Sequence, residues 1–347
     1  MNVLAEMVTL DVRAWLVWLL AVAVLTMTVR NPLYTLLLLL VTRLVAQVCA
    51  RPGQGMQLSL WRLGLVILAF SALFNMLFAH TGQTVLFTLP AGWPLVGGPI
   101  TAEALLYGLI SGLALLTLLS AFLAFNQIVP VSDLVRLTPR AFHDLGVVVL
   151  IAVTYVPETT QHLRRIQEAQ AVRGYRLRGL RDWQPLVIPL LVGGLEKAMG
   201  LAEAMVARGY GATAGRQQTN LVRGGLVLGL LLALAGWGVA LWRGWPGWLL
   251  LAAASGLLLA LVWRTGRGAP ATVYRPRRWQ WPDSALLLLA LLPLFLLLPA
   301  WPFLAPAGLT YSPYPALALP PFSPLVGALL LLLAVPALLQ NSGTREL

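Results

Sequence analysis

The chain carries one octapeptide twice, as EAQAVRGY at residues 168–175 and as EAMVARGY at residues 203–210. Glu, Ala, Arg, Gly and Tyr recur in register, 35 positions apart. Each copy ends a helical pattern, and glycine is the residue that most readily takes the positive φ of a helix C-cap. Arg173 and Arg208 are therefore predicted in the last turn, before Gly174 and Gly209, where the helix dipole favours a cation.

The repetition of this Arg-Gly ending has two interpretations. A single copy is most often only a favourable helix cap. Two matching copies, in the one polar block of an apolar chain, favour a pair of helices that present arginines on a docking surface. The predicted docking residues are Arg173, Gly174, Ala207, Arg208 and Gly209. The predicted supporting residues on the same helices are Glu168, Ala169, Glu203, Ala204 and Met205.

The composition around these helices is that of an integral membrane protein. The 347 residues are 59% hydrophobic and 10% charged, with a mean hydropathy of +0.81, whereas soluble domains carry roughly 25% charged residues. The net charge of +12 lies in segments between apolar runs. Because the positive-inside rule produces that distribution, it does not indicate a nucleic-acid partner. A single cysteine, Cys49, excludes an intrachain disulfide, and no metal-ligand pattern occurs.

Eight apolar runs approach the roughly 20 residues that a membrane-spanning helix needs. They cover residues 12–29, 33–50, 60–79, 101–125, 226–242, 248–263, 284–300 and 325–339. Arg30-Asn31-Pro32 separates the first two, and Thr101 is predicted to cap the fourth, with Glu103 in its first turn. The arginine-rich loops 51–62, 130–145, 158–223 and 264–278 are expected in the cytoplasm with both termini. Loops 82–99, 243–247 and 301–324 are then expected outside.

The polar block between the fourth and fifth runs predicts two long cytoplasmic helices. Residues 145–156 are too short for a span and continue as a helix through 158–173, followed by a linker over 175–189 and a second helix over about 194–208. The predicted fold is thus an all-α polytopic membrane protein, a transmembrane bundle with two long cytoplasmic helices. Its expected regions are a four-helix region (1–128), the cytoplasmic helices (129–215), a helix pair (216–265) and a C-terminal extension with two helices (266–347).

An enzymatic function has little support in the residues. Enzymes acting at the membrane on lipid-linked phosphate use clustered carboxylates, a metal or His and Asp, and only Asp133, His143 and Asp144 lie near the predicted inner face. A P-loop of the form GxxxxGK[ST] is also missing from the sequence. We therefore favour a non-enzymatic subunit that couples a cytoplasmic energy source to the membrane. A stand-alone membrane enzyme or lipid-handling protein is the alternative, and a purely structural scaffold is a third interpretation.

The two Arg-Gly helix ends carry a specific resemblance to a known family. Val172-Arg173-Gly174 and Ala207-Arg208-Gly209 resemble the two Ala-Arg-Gly coupling motifs of the transmembrane T component of energy-coupling factor (ECF) transporters. The similarity covers roughly residues 1–245, and Val172 replaces the usual alanine of the first motif. The other matching segments are Leu73-Phe74-Asn75, Ile100-Thr101-Ala102-Glu103-Ala104, Ser132-Asp133-Leu134 and Tyr155-Val156-Pro157-Glu158. Residues 266–347 extend beyond the usual end of the family.

The resemblance implies an assembly in the cell membrane. Two ABC-type ATPase subunits would dock on the two cytoplasmic coupling helices, one at each arginine. A separate membrane S subunit would bind the substrate, a vitamin, a metal or a similar micronutrient. ATP would be bound by the ATPases, so that this chain is expected to hold no cofactor or metal, and no catalytic residue.

Overall fold

The computed structural model describes residues 10–50, 59–79, 81–89, 97–137, 143–175, 183–210, 220–267, 279–297, 308–315 and 317–342. Within these ranges the chain is almost entirely helical, with one short pair of strands. The elements are α1 (Val12–Thr28), α2 (Pro32–Cys49), α3 (Leu60–Phe78), β1 (Val85–Thr88), β2 (Pro99–Thr101), α4 (Ala102–Ile128), α5 (Val131–Val135), α6 (His143–Val172), α7 (Gln184–Ala207), α8 (Asn220–Arg243), α9 (Trp245–Arg267), α10 (Trp281–Leu297), α11 (Pro324–Leu331), a 3-10 helix (Leu332–Ala334) and α12 (Val335–Ser342).

Six helices in the described part of the chain are long and apolar enough to cross a membrane. They are Pro32–Cys49, Trp61–Phe78, Ala102–Ile128, Gln184–Ala207, Gly224–Trp242 and Trp245–Arg264. Three apolar helices are shorter, namely Val12–Thr28, Trp281–Leu297 and Pro324–Leu339. The predicted class, an all-α polytopic membrane protein, is confirmed. The strands β1 and β2 are an addition, since the sequence predicted only a loop over 82–99.

Five of the eight predicted spans are among these six helices, and the other three, 12–29, 284–300 and 325–339, correspond to the three shorter apolar helices. The sixth long helix is α7, which the sequence predicted as a cytoplasmic helix and not as a span. Two helices also differ from their predicted extent. The helix α7 begins at Gln184 rather than near Gly194, because Pro185 falls in its first turn, where the missing N–H costs nothing, and Pro189 is accommodated inside it. The run 325–339 is divided by the 3-10 helix that precedes Pro336. A proline there removes an N–H donor and its ring clashes with the previous turn, which disfavours one continuous α-helix.

The chain divides into two compact units. Unit 1 comprises residues 1–133 and 275–347, and unit 2 comprises residues 134–274. In unit 1 the central helix α4 packs against α1, α2 and α3, while α10 packs on α1, and α11 and α12 pack on α2. The predicted regions 1–128 and 266–347 thus contribute to the same unit, and the C-terminal extension is part of its core.

A polar side chain of α1 and the N-cap side chain of α2 join these helices to the extension. The indole N–H of Trp18 donates to the carbonyl of Leu333 at 2.9 Å. The amide of Asn31 donates to the carbonyls of Gly308 at 2.9 Å and Pro321 at 2.8 Å. Both donor side chains have no exposed surface. Because a buried polar group without a partner is costly, the extension stabilises the helices it covers.

One end of unit 1 brings together two of the segments that were expected on the same side of the membrane. The ring of Tyr107, near the start of α4, lies 5.8 Å from the ring of Tyr314. The segment 308–315 therefore lies at the end of the bundle where β2 leads into α4. This agrees with the expectation that loops 82–99 and 301–324 share a side.

Unit 2 consists mainly of two helix pairs, α6 with α7 and α8 with α9. The helix α6 is one 30-residue helix that runs through Pro157, as the predicted continuation of 145–156 into 158–173 requires. The second pair lies in the predicted helix-pair region (216–265), where α8 ends at Arg243 and α9 begins at Trp245.

Candidate functional site

The two octapeptides end α6 and α7 with the same cap. The N–H of each glycine bonds to a carbonyl three residues earlier, and the N–H of each tyrosine bonds to a carbonyl five residues earlier, as in a Schellman motif. The four bonds are Gly174 to Ala171 (2.9 Å), Tyr175 to Gln170 (3.0 Å), Gly209 to Val206 (2.9 Å) and Tyr210 to Met205 (2.9 Å). The glycines have φ values of 78° and 80°. The predicted positive-φ caps are therefore confirmed.

These caps place both arginines at the helix ends. Arg173 and Arg208 are the last residues before the positive-φ glycines, and both are exposed. An added Cβ at Gly174 or Gly209 would meet nothing within 4 Å, so that the backbone is open on that side. Each end thus offers an exposed cation beside an accessible backbone surface.

A polar crossing joins α6 to α7. Lys197 of α7 forms an ion pair with Glu158 of α6, and its ammonium lies 5.7 Å from the centre of the Tyr155 ring. The ring of His162 lies so close to Gly193 that a Cβ there would come within 2.6 Å of it. Since higher-numbered residues of α6 meet lower-numbered residues of α7, the two helices run antiparallel at the crossing.

The two contacts at the crossing are related by the same 35-residue offset as the octapeptides. Gly193 lies 35 positions after Glu158, and Lys197 lies 35 positions after His162. The two contacts, Glu158 with Lys197 and His162 with Gly193, are therefore equivalent under this offset. Arg173 follows His162 by 11 positions, and Arg208 follows Lys197 by 11. At 1.5 Å per residue each arginine lies roughly 16 Å along its helix from the crossing. The antiparallel helices carry their arginines in opposite directions.

Sequence reasoning found the caps but missed the crossing. Two features of the sequence point to the crossing. Lys197 is the only lysine of the chain, and Gly193-Gly194 is a pair of small residues within α7. The sequence of α7 also carries a stripe of small residues and Met, Ala198, Ala202, Met205 and Gly209, which suits either close packing or an adaptable protein contact. Ala198 and Ala202 are exposed and the helices meet at 193–197, so that α6 does not pack on this stripe. The supporting residues Glu168, Ala169, Glu203 and Ala204 are also exposed, and Met205 is partly buried.

Comparison with known proteins identifies the family. Residues 7–221 match the family model CbiQ, described as "Cobalt transport protein". The chain belongs to this family. The match includes α1 to α7, with both arginine-capped helices, and it ends before most of α8.

Relatives of this CbiQ-family chain are named as transporter subunits. It is 27% identical over 194 residues to the energy-coupling factor transporter transmembrane protein EcfT of Exiguobacterium sibiricum, covering 48% of this chain and 71% of the relative. It is 30% identical over 167 residues to EcfT of Streptococcus thermophilus (43% and 60%). It is 25% identical over 206 residues to EcfT 1 of Listeria monocytogenes (51% and 71%). Other matches are shorter, such as 32% over 114 residues to EcfT of Brevibacillus brevis (29% and 42%).

The alternative function, a membrane enzyme, gains no support from these findings. The family and the relatives are named for transport, not for catalysis. Asp133 lies in α5, whereas His143 and Asp144 begin α6. Among the residues that the structure describes, no three His, Cys, Asp or Glu side chains come together as metal ligands.

Proposed function

We propose that this CbiQ-family chain is the transmembrane T component of an ECF-type importer, and that Arg173 and Arg208 each bind one of two cytoplasmic ATPase subunits. The observation that carries the proposal is the duplicated arginine cap. Two helix ends with the same cap, at equal distances from one antiparallel crossing, suit a partner with two equivalent binding sites. A pair of similar ATPase subunits has that symmetry.

The chemistry of the caps supports a protein partner with acidic groups. Arginine presents a planar, permanently charged fork that binds carboxylates with two hydrogen bonds. The helix cap holds the end of the backbone in one conformation, so that less order has to be imposed when the partner binds. ATP is hydrolysed on the partner, and the crossing at Glu158 and Lys197 transmits the movement of one helix to the other.

The membrane side of the proposed function needs a separate substrate-binding S subunit. The substrate would be a vitamin, a metal or a similar micronutrient, in keeping with the transport names of the family and the relatives. The arginine-rich segments around α6 and α7 favour a location of these helices on the cytoplasmic side of the cell membrane.

The test is the double variant Arg173→Ala/Arg208→Ala, expressed together with the ATPase pair encoded nearest to this gene. We expect the variant to insert into the membrane but to lose the ATPases during purification, together with substrate uptake. Arg164→Ala/Arg165→Ala is the matched control, because both arginines are exposed on α6 but lie away from its cap. Retention of the ATPases by the cap variant would overturn the proposal.

A further inference from the structure

The hairpin of β1 and β2 exposes apolar side chains. Phe87 pairs with Ile100 and Thr88 with Pro99, and the strands run antiparallel. Val85, Leu86 and Phe87 are exposed by 49%, 53% and 53%. Because successive side chains of a strand point to opposite faces, β1 is uncovered on both faces, whereas Ile100 and Thr101 of β2 are buried.

The segment that contains this hairpin carries no charge. Residues 81–101 include no Asp, Glu, Lys or Arg. A two-stranded hairpin is marginal in water at best, and clustered exposed apolar groups mark a contact surface. The exposed part of the hairpin is therefore an uncharged apolar surface.

An aromatic row on α3 leads to the hairpin. Phe70, Phe74 and Phe78 lie four residues apart on one face, with ring centres separated by 6.1 and 4.6 Å. All three rings are about half exposed or more. In a membrane-spanning helix such a face meets lipid. The row ends at the last residue of α3, and α3 contacts β2, the strand paired with the exposed β1, so that both exposed apolar surfaces lie at this end of α3.

A buried carboxylate fixes the base of the hairpin. Glu103, in the first turn of α4, has no exposed surface, and its Oε1 accepts the N–H groups of Gln83 at 3.3 Å and Thr84 at 3.0 Å. The N–H of Ala102 donates to the carbonyl of Thr84 at 3.0 Å. Gly82 has a φ of 144°, and a Cβ there would come within 2.5 Å of Oε2 of Glu103. The hairpin therefore has one fixed position relative to α4.

We infer that the hairpin lies in the interfacial layer of the bilayer, with Val85, Leu86 and Phe87 in contact with lipid, and that Glu103 is the positioning residue that holds it there. Lipid is the occupant because the exposed surface lies at the end of α3 where the lipid-facing row ends, and because it carries no charge. The hairpin enlarges the area of unit 1 that contacts one leaflet of the bilayer. Through its hydrogen bonds, Glu103 connects the hairpin to the start of α4, the central helix of the unit.

The test measures the surroundings of Leu86 in the full-length chain, in lipid nanodiscs without partner proteins. Cys49 is replaced by alanine, and a spin label is attached to a single cysteine at Leu86, Phe74 or Arg164. Collisions with oxygen report lipid, and collisions with a water-soluble nickel chelate report water. We expect oxygen to dominate at Leu86 and Phe74, and the chelate to dominate at the control position Arg164. A water-like result at Leu86 overturns the inference, and so does low access for both reagents, which would mean that protein covers the hairpin.

The role of Glu103 is tested by Glu103→Ala and Glu103→Gln in the labelled chain. In Glu103→Ala we expect chelate access at Leu86 to rise to the level at Arg164, while the Phe74 label is unchanged. Glu103→Gln keeps an acceptor oxygen and should retain most of the lipid contact. An unchanged Leu86 label in the alanine variant, or an equal change at Phe74, overturns the positioning role.

Discussion

Unit 1 and unit 2 differ in how much of their apolar surface they cover themselves. In unit 1, the buried share of the apolar stretch is 56% in the central helix α4 and 44% in α2, and only α3, at the edge of the unit, is as low as 11%. In unit 2 the corresponding values are 6% for α7 and 11% each for α8 and α9. In unit 1 the helices α1, α2 and α4 each contact several helices of the same chain, and α3 contacts mainly α4. The helices of unit 2 contact mainly one neighbour each.

The difference indicates that the two units have different roles. Unit 1 carries its own partners, because α10 to α12 pack on α1 and α2. The carbonyls of Gly308, Pro321 and Leu333, in the same C-terminal extension, accept hydrogen bonds from the buried side chains of Trp18 and Asn31. Unit 2 presents exposed helix faces and two exposed arginine caps, as expected for a part that binds other proteins and lipid. Substitutions should therefore affect stability in unit 1 and binding in unit 2.

The largest expected effect on stability comes from tryptophan truncation in unit 1. Trp18 is fully buried and bonds to Leu333, so Trp18→Ala should lower the free energy of unfolding by about 3–5 kcal/mol. Trp242 in unit 2 is 93% exposed, and Trp242→Ala is the matched control with little expected loss. Unfolding of the detergent-solubilised chain measures both. Equal losses in the two variants would contradict the contrast between the units.

A smaller loss is expected where the extension meets the turn between α1 and α2. Asn31→Leu removes the amide that bonds to Gly308 and Pro321 and the oxygen that accepts the N–H of Leu33. Leaving such buried groups without partners should cost about 2 kcal/mol. Gln184→Leu, at an exposed position at the start of α7, is the control. If Asn31→Leu is neutral, the extension does not hold this turn.

The arginine caps are expected to respond alike to cap substitutions. Gly174→Ala and Gly209→Ala force a side chain into a positive-φ conformation, which should destabilise each helix end by about 1 kcal/mol. Gly200→Ala, inside α7 with nothing within 4 Å of the added Cβ, should instead stabilise that helix slightly. Hydrogen exchange at the ends of α6 and α7 measures the change. Clearly unequal responses of the two caps would break their equivalence.

Local features of the fold could be predicted from the sequence, and distant contacts could not. The turn at Asn31-Pro32, the Thr101 cap and the glycine caps of α6 and α7 depend on residues within one or two turns. The contacts of Trp18 with Leu333 and of Asn31 with Pro321 join positions about 300 residues apart, which no local pattern records. The docking residues stay a prediction, since their partners are other chains.

The smallest effect is expected at the crossing of α6 and α7. The side chains of Glu158 and Lys197 are 52% and 43% exposed, and pairs of this kind contribute about 0–1 kcal/mol. A double-mutant cycle with Glu158→Gln and Lys197→Gln should give a coupling energy in that range for the chain alone. A coupling energy of several kcal/mol would mean that this ion pair is shielded from water, as the buried side chains of unit 1 are. The same cycle repeated with the ATPases bound shows whether a partner covers the crossing, because a covered pair would couple more strongly than the exposed one.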